Sequence, residues 1–283
     1  MKKEKYIINP SELSYICHHC AHLKHNYDLE DKGISAGITG ELDSLEKKYF
    51  LGDVKKLGEK IPKGTIINAD HLNMSFQSKI LCDKKNRTFR IKGKGDAIIK
   101  FEDKTHGIID YKTSKFKDKK GKNYSKELQD KINEYNAQLH CYDLLYSNLE
   151  TDKEFLIENL KSSRPTWKEE TILNKVNERI EKIKEISIKK TSLMGLVFVY
   201  PEELVNQDSL LINFSFTYEN VKYEPEKFID FLTDYIDHLE QPNPPPIPEK
   251  CKDPKNRQHC VMHTHFYDEK KIKKTTSNRL KSS

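Results

Sequence analysis

Gly95-Asp96-Ala97-Ile98-Ile99-Lys100 and, beyond a short polar turn, Gly107-Ile108-Ile109-Asp110-Tyr111-Lys112-Thr113 decide how this chain is read. Both are apolar, Ile-rich runs bounded by turn-forming residues, and together they predict a β-hairpin. Asp96 opens the first strand and Asp110 ends the second, so the hairpin returns both carboxylates to one end of a sheet. Alternate side chains share a face of a strand, which points Asp110 and Lys112 one way and Tyr111 the other. Two carboxylates and one ammonium then converge. That set suits Mg²⁺ or Mn²⁺, which take carboxylate oxygens at about 2.0–2.1 Å along with waters and phosphate oxygens. A cation there lowers the pKa of a bound water and neutralises developing charge. Lys112 is placed to orient that water or to hold phosphate oxygens.

The flanking sequence supplies the rest of an α/β fold. Upstream, Ser11 or Ser14 caps a first helix carrying Leu13, Ile16, Cys17, Cys20, Leu23 and Tyr27 at helical spacing. A glycine-punctuated loop precedes a second helix over Glu41–Phe50. Short extended segments follow at Ile66–Ala69 and Ser75–Cys82, then strands at Thr88–Lys92, Asp96–Phe101 and Gly107–Tyr111. Downstream, Leu128, Ile132, Tyr135, Leu139, Tyr142, Tyr146 and Leu149 step by three and four, predicting a long helix over Ser125–Leu149. A further helix is expected at Trp167–Ile188, strands at Leu193–Tyr200 and Leu210–Thr217, and a helix at Pro225–Leu239. The order fits a mixed β-sheet flanked by helices. Residues 1–240 read as one domain. Residues 241–283 read as a Pro-rich spacer, Pro242–Pro248, and a basic tail.

Charge is distributed unevenly. The 283 residues carry a formal charge of +6, yet the tail from Lys250 holds ten basic residues against three acidic ones, which leaves the body near neutral. Two local basic runs lie beside the hairpin, at Asp83–Lys94 and Lys112–Lys126. Basic clusters of this density favour a polyanion, because neutralising phosphates releases counterions. Lys84, Lys85, Arg87, Arg90 and Lys115 to Lys122 are therefore expected to track a phosphate backbone, with Phe116 and Tyr124 available for stacking. No run approaches the roughly 18 apolar residues of a membrane span, and no apolar signal run follows Met1. A cytoplasmic protein is expected, where six cysteines bind metal or pack.

On the long helix, Asn136-Ala137-Gln138-Leu139-His140-Cys141-Tyr142 sets Gln138 and Tyr142 four residues apart, hence on one face. With Gly95-Asp96 and Ile109-Asp110-Tyr111-Lys112-Thr113, in that order, this pattern resembles the PD-(D/E)XK nuclease superfamily and its RecB-like branch. The resemblance implies a restriction-endonuclease-like core. It implies that Asp96 and Asp110 bind Mg²⁺ or Mn²⁺ with the main-chain carbonyl of Tyr111, that Lys112 is catalytic, and that Gln138 and Tyr142 position water and DNA. The family usually adds an upstream His. This chain has none there, and Asp43 or Glu41 is the candidate in its place.

Cys17-His18-His19-Cys20 on the first helix and Cys251 with Cys260 in the tail can supply four thiolates from the two chain ends. They suit structural Zn²⁺ or a [4Fe–4S] cluster, and several RecB-like nucleases resemble this in pinning their ends with an iron–sulfur cluster. Cys82 and Cys141 lie in apolar stretches and are expected to pack as core residues. The resemblance implies a metal-dependent exonuclease or end-processing deoxyribonuclease in repair, recombination or CRISPR-type defence, with a helicase, integrase or similar protein as partner. The alternative is a catalytically weak or inactive DNA-binding subunit that keeps the fold.

Overall fold

The computed structural model describes residues 5–15, 17–27, 37–69, 75–113, 124–206 and 211–249. Strand β1 (Tyr6–Ile8) is followed by helices α1 (Glu12–Tyr15), α2 (His18–Tyr27) and α3 (Gly37–Phe50). A 3₁₀ turn at Val54–Leu57 leads to β2 (Gly64–Asn68), β3 (Phe76–Gln77), β4 (Leu81–Cys82), β5 (Thr88–Gly93), β6 (Ala97–Phe101) and β7 (His106–Thr113). Then come α4 (Tyr124–Ser147), α5 (Lys153–Ser163), α6 (Glu169–Ile186), β8 (Thr191–Asn206), β9 (Leu211–Val221) and α7 (Pro225–Glu240). The mixed α/β architecture expected from the sequence is present as two mixed sheets flanked by helices.

The larger sheet runs β2-β6-β7-β8-β9, all antiparallel neighbours except the parallel β7–β8 pair. Alternation along β7 divides its two faces. Ile108 packs with Ile98, Leu196, Phe198, Leu139, Tyr142 and Tyr146 in a core shared with α4. Ile109 and Tyr111 join Phe50, Val54, Ile99 and Val197 beneath α3 and the 3₁₀ turn. With both faces covered, the central strands carry nearly continuous apolar runs, as buried strands do. The β8–β9 ribbon stays paired beyond Thr113↔Val199, the last pair of β7 with β8, as far as Asn206↔Leu211.

The smaller sheet centres on β5, with β1 parallel to it and β3 and β4 antiparallel. A three-residue strand leaves too little period to read from sequence, and β1 was not expected. Helix α5 was also not foreseen. It and α6 share a small core of Leu156, Ile172 and Val176, and Pro165, just past α5, keeps the two from fusing. The expected first helix is two pieces, α1 and α2. Of the two cysteines expected to pack, Cys141 is fully buried, whereas Cys82 is exposed at the end of the two-residue β4. No helix among the described residues is long and apolar enough to cross a membrane.

The basic run Asp83–Lys94 does not present the expected phosphate track. Arg87 binds Asp83, Asp237, Glu240 and the carbonyl of Thr233. Lys85 pairs with Asp237 at 2.7 Å, and Lys84 pairs with Asp230. Arg90 is buried, donating to Glu150 and the Ser78 carbonyl. These cations fasten the β4–β5 turn to α7 and β5 to the segment after α4. Lys115 to Lys122 and Phe116 lie outside the described residues.

Asp83 has a fully buried side chain. Arg87→Leu therefore strands a buried carboxylate and is expected to cost about 3–5 kcal/mol in urea unfolding. Lys5, Tyr6 and Arg87 together hold the Glu240 carboxyl down at about 2, against an ordinary 4.5. Its contribution to stability is complete above the ordinary value and is lost as pH falls toward the lowered one. Stability of the wild type should drop between pH 5 and pH 2 more steeply than that of Glu240→Gln.

Candidate active site

The β6–β7 register sets Ala97 opposite Ile109, so Asp96, one residue before Ala97, meets the Asp110 end of β7. Asp96 uses one carboxylate oxygen, Oδ2, to accept the Tyr111 main-chain N–H at 2.9 Å. The start of one strand is thereby clamped to the Asp110 end of the next. Just before it, Gly95 donates its N–H to the Tyr146 hydroxyl at 2.6 Å. A Cβ at Gly95 would lie 3.1 Å from that same oxygen, so the close approach favours glycine.

Asp110 is buried, with Oδ2 2.6 Å from Lys112 Nζ. At that distance the ammonium is the direct counter-charge of this carboxylate oxygen. Burial pushes the Asp110 carboxyl up, against the opposing pull of Lys112 and with the added repulsion of Asp96. Burial pulls the Lys112 ammonium down, but Asp110 overrides it and leaves the group raised, hence charged. Lys112 also donates to Gln138 Oε1 at 3.2 Å and lies 4.4 Å from the centre of the Tyr135 ring. Gln138 Nε2 in turn donates to the Tyr142 hydroxyl at 3.0 Å. The five residues expected from the hairpin and the long helix, Asp96, Asp110, Lys112, Gln138 and Tyr142, thus gather at one end of β6 and β7. Burial, followed by the nearby Asp110 and Asp96, holds the Tyr142 hydroxyl well above its ordinary value, so it stays a proton donor.

Helix α3 adds groups that the sequence reading overlooked. Lys47 Nζ lies 3.0 Å from Asp96 Oδ1 and 2.8 Å from Asp43 Oδ2. Of the two upstream acids considered, Asp43 is linked to the site through this ammonium, and Glu41, two residues earlier on the helix, is exposed. Glu46 is buried, accepts from the Thr113 hydroxyl at 3.2 Å, and is pushed up to about 7, chiefly by burial. A charge pattern of acid, acid and lysine at i, i+3 and i+4 along α3 was the available signal for this cluster.

The donor set fits a divalent cation. Asp96 and Asp110 set two carboxylates side by side at the end of the hairpin, one of them buried. Mg²⁺ commonly uses one or two carboxylates and keeps the remaining positions for water and phosphate. Among the described residues no group of three or more His, Cys, Asp or Glu is arranged to hold a metal alone.

Cys17 and Cys20 are buried in the core shared with α4 and α7. Cys251 and Cys260 lie outside the described residues.

The buried acid–lysine pair on one strand is faced by a second acid from its hairpin partner. The sequence profile of the PD-(D/E)XK nuclease superfamily matches residues 23–253, and the chain belongs to that superfamily. No curated protein matches the chain. Among solved structures, the crystal structure of SSO0001 is similar at 16% identity and a TM-score of 0.45, over 96% of this chain and 89% of that one.

Tyr146→Phe removes the acceptor of the buried Gly95 N–H. It should cost about 1–3 kcal/mol in chemical unfolding, and the backbone of Gly95 should lose hydrogen-exchange protection.

Proposed function

We propose that this chain is a metal-dependent deoxyribonuclease of the RecB-like branch that processes DNA ends or single strands. The observation that carries the reading is the buried Asp110–Lys112 pair set against Asp96 on one side and Gln138–Tyr142 on the other. Asp96 and Asp110 are the ligands of Mg²⁺ or Mn²⁺, with the Tyr111 carbonyl as a further one and Asp43 as the upstream acid. A bound divalent cation supplies a Lewis acid and an activated water. Lys112, kept charged by Asp110, holds a non-bridging phosphate oxygen and offsets charge as water adds and the leaving strand departs. Gln138 fixes the Lys112 ammonium and the Tyr142 hydroxyl in one line, so the donors are already oriented when the phosphate arrives. The Asp96 clamp on the Tyr111 N–H keeps the Tyr111 carbonyl at that same end.

A second metal position is part of the proposal, at Cys17 and Cys20 with Cys251 and Cys260, holding Zn²⁺ or a [4Fe–4S] cluster. Support comes from the path of the chain after α7. The His19 Nδ1 atom lies 2.6 Å from the Pro245 carbonyl oxygen, which brings the spacer before the tail alongside the helix that carries Cys20. Partner proteins such as a helicase or an integrase, and a cytoplasmic setting, belong to this same reading.

One observation favours a weakly active, DNA-binding role instead. The Lys47 ammonium lies between Asp43 and Asp96, where it competes with a cation for the same carboxylates.

With Mn²⁺ and labelled single- and double-stranded DNA, the wild type should cleave, and Asp110→Asn and Lys112→Met should each lose at least 100-fold. Mn²⁺ should raise the melting temperature of the wild type but not of Asp110→Asn. Equal cleavage by both variants overturns the assignment, and binding without cleavage in every divalent metal favours the weak subunit. Purified protein should hold iron with visible absorbance, or else zinc, and Cys20→Ser should lose it.

A further inference from the structure

An apolar groove adjoins the site without contributing to it. It lies between the exposed side of α3 and the β8–β9 ribbon, with a volume of about 290 Å³. Leu45 and Tyr49 form one wall and Phe214 and Phe216 the other, over a floor of Phe50 and Val199. These walls are open to solvent: Leu45 is 59% exposed, Tyr49 55%, Phe214 43% and Phe216 37%. Single exposed apolar residues need no explanation, but four lining one groove mark a binding surface.

We propose that this groove takes unpaired nucleobases of the strand whose phosphate lies at Asp96 and Asp110. The inference rests on the nuclease reading above and adds to it a separate subsite for the unpaired bases, outside the residues that hold the phosphate.

Three observations select bases over another occupant. First, the groove is continuous with the site. Glu46 lines it and also accepts from Thr113, the residue after Lys112. Second, its rings form an unbroken series from the catalytic strand outward. Tyr111 stacks on Phe50 at 5.3 Å and 14°, and Phe216 meets Phe50 edge-on at 5.0 Å and 89°. Tyr49 then lies 6.3 Å from Phe216, and both residues are exposed. Planar aromatic walls accept any base, because every base presents a π-face. Third, the charge at the rim suits a nucleic-acid backbone. The Lys56 ammonium, held by the Tyr49 carbonyl, sits 5.1 Å from the centre of the Tyr49 ring, and its remaining protons can meet a phosphate of a strand whose base lies against that ring. The volume also lies near the lower bound of roughly 300 Å³ for small-ligand clefts, room for a base or two and too little for a helix.

The ribbon gives the groove its second wall. β8 and β9 continue as a pair past the end of β7, and Val199↔Phe216 and Pro201↔Phe214 are register pairs, which sets the two phenylalanines on one face. A duplex keeps its bases stacked on one another and offers this groove none. The groove therefore discriminates strand state rather than sequence.

The test uses full-length protein in Ca²⁺, with single-stranded and blunt duplex oligodeoxynucleotides carrying 2-aminopurine near one end. Tyr49→Ala and Phe214→Ala should each weaken single-strand binding roughly 5- to 100-fold, the range of one lost base stack. Duplex binding should stay within twofold, and 2-aminopurine should lose its stacking quench. Tyr49→Phe and Phe214→Trp should restore both. Thermal melts confirm that each variant is folded. Wild-type protein that cleaves DNA, with Tyr49→Ala and Phe214→Ala binding single strands as before, overturns the groove proposal and leaves the nuclease reading standing. Wild-type protein that binds no nucleic acid overturns both. A wild-type dimer that becomes monomeric in Tyr49→Ala identifies a second copy as the occupant and overturns the proposal.

Discussion

One hydrogen bond organises the candidate site: the Tyr111 main-chain N–H to the Asp96 carboxylate, 2.9 Å long. It fixes the Asp96 side chain, while the Asp96 carbonyl accepts the Ala69 N–H at 3.1 Å and so holds the backbone just outside β6. It also fixes the peptide between Asp110 and Tyr111, from which the Asp110 and Lys112 side chains take their common direction. Remaining contacts follow from that anchor. Lys47 reaches Asp96 through its other oxygen, Gly95 is pinned to Tyr146, and Lys112 is left facing Gln138.

Electrostatics at this end of the sheet are balanced at close range. Two lysines, Lys47 and Lys112, face Asp43, Asp96, Asp110 and Glu46, with the last two raised chiefly by burial. A site with more carboxyl groups than cations, partly stripped of water, attracts a further positive charge. The same crowding makes the groups costly to leave unpaired. Acids that are expensive to bury are kept where their chemistry requires them.

The hairpin and the long helix were legible because their signals are local. Alternation places Asp110 and Lys112 on one face, and a spacing of four places Gln138 with Tyr142. What joins them is equally short-range: β6 and β7 are adjacent in sequence, and the stripe on α4 already declares which side packs inward. The contribution of α3 was harder to see. Asp43, Glu46 and Lys47 look like an ordinary solvated helix face until the fold sets that face against Asp96 and Thr113. The basic run around Arg87 misled for a related reason. Its partners, Asp237 and Glu240, lie about 150 residues away, so composition showed an excess of positive charge that the fold neutralises. Short elements such as β1 carry no period, and only pairing with β5 makes them strands.

The parallel β7–β8 pair has a consequence for the order of assembly. β6 and β7 meet across a four-residue turn, whereas β8 reaches β7 only after the whole excursion from Thr113 to Thr191 has been traversed. Closing so long a loop is entropically costly, and pairings of large sequence separation form slowly. During synthesis the two carboxylates can therefore come together, still fully hydrated, well before β8 is available to cover their strand.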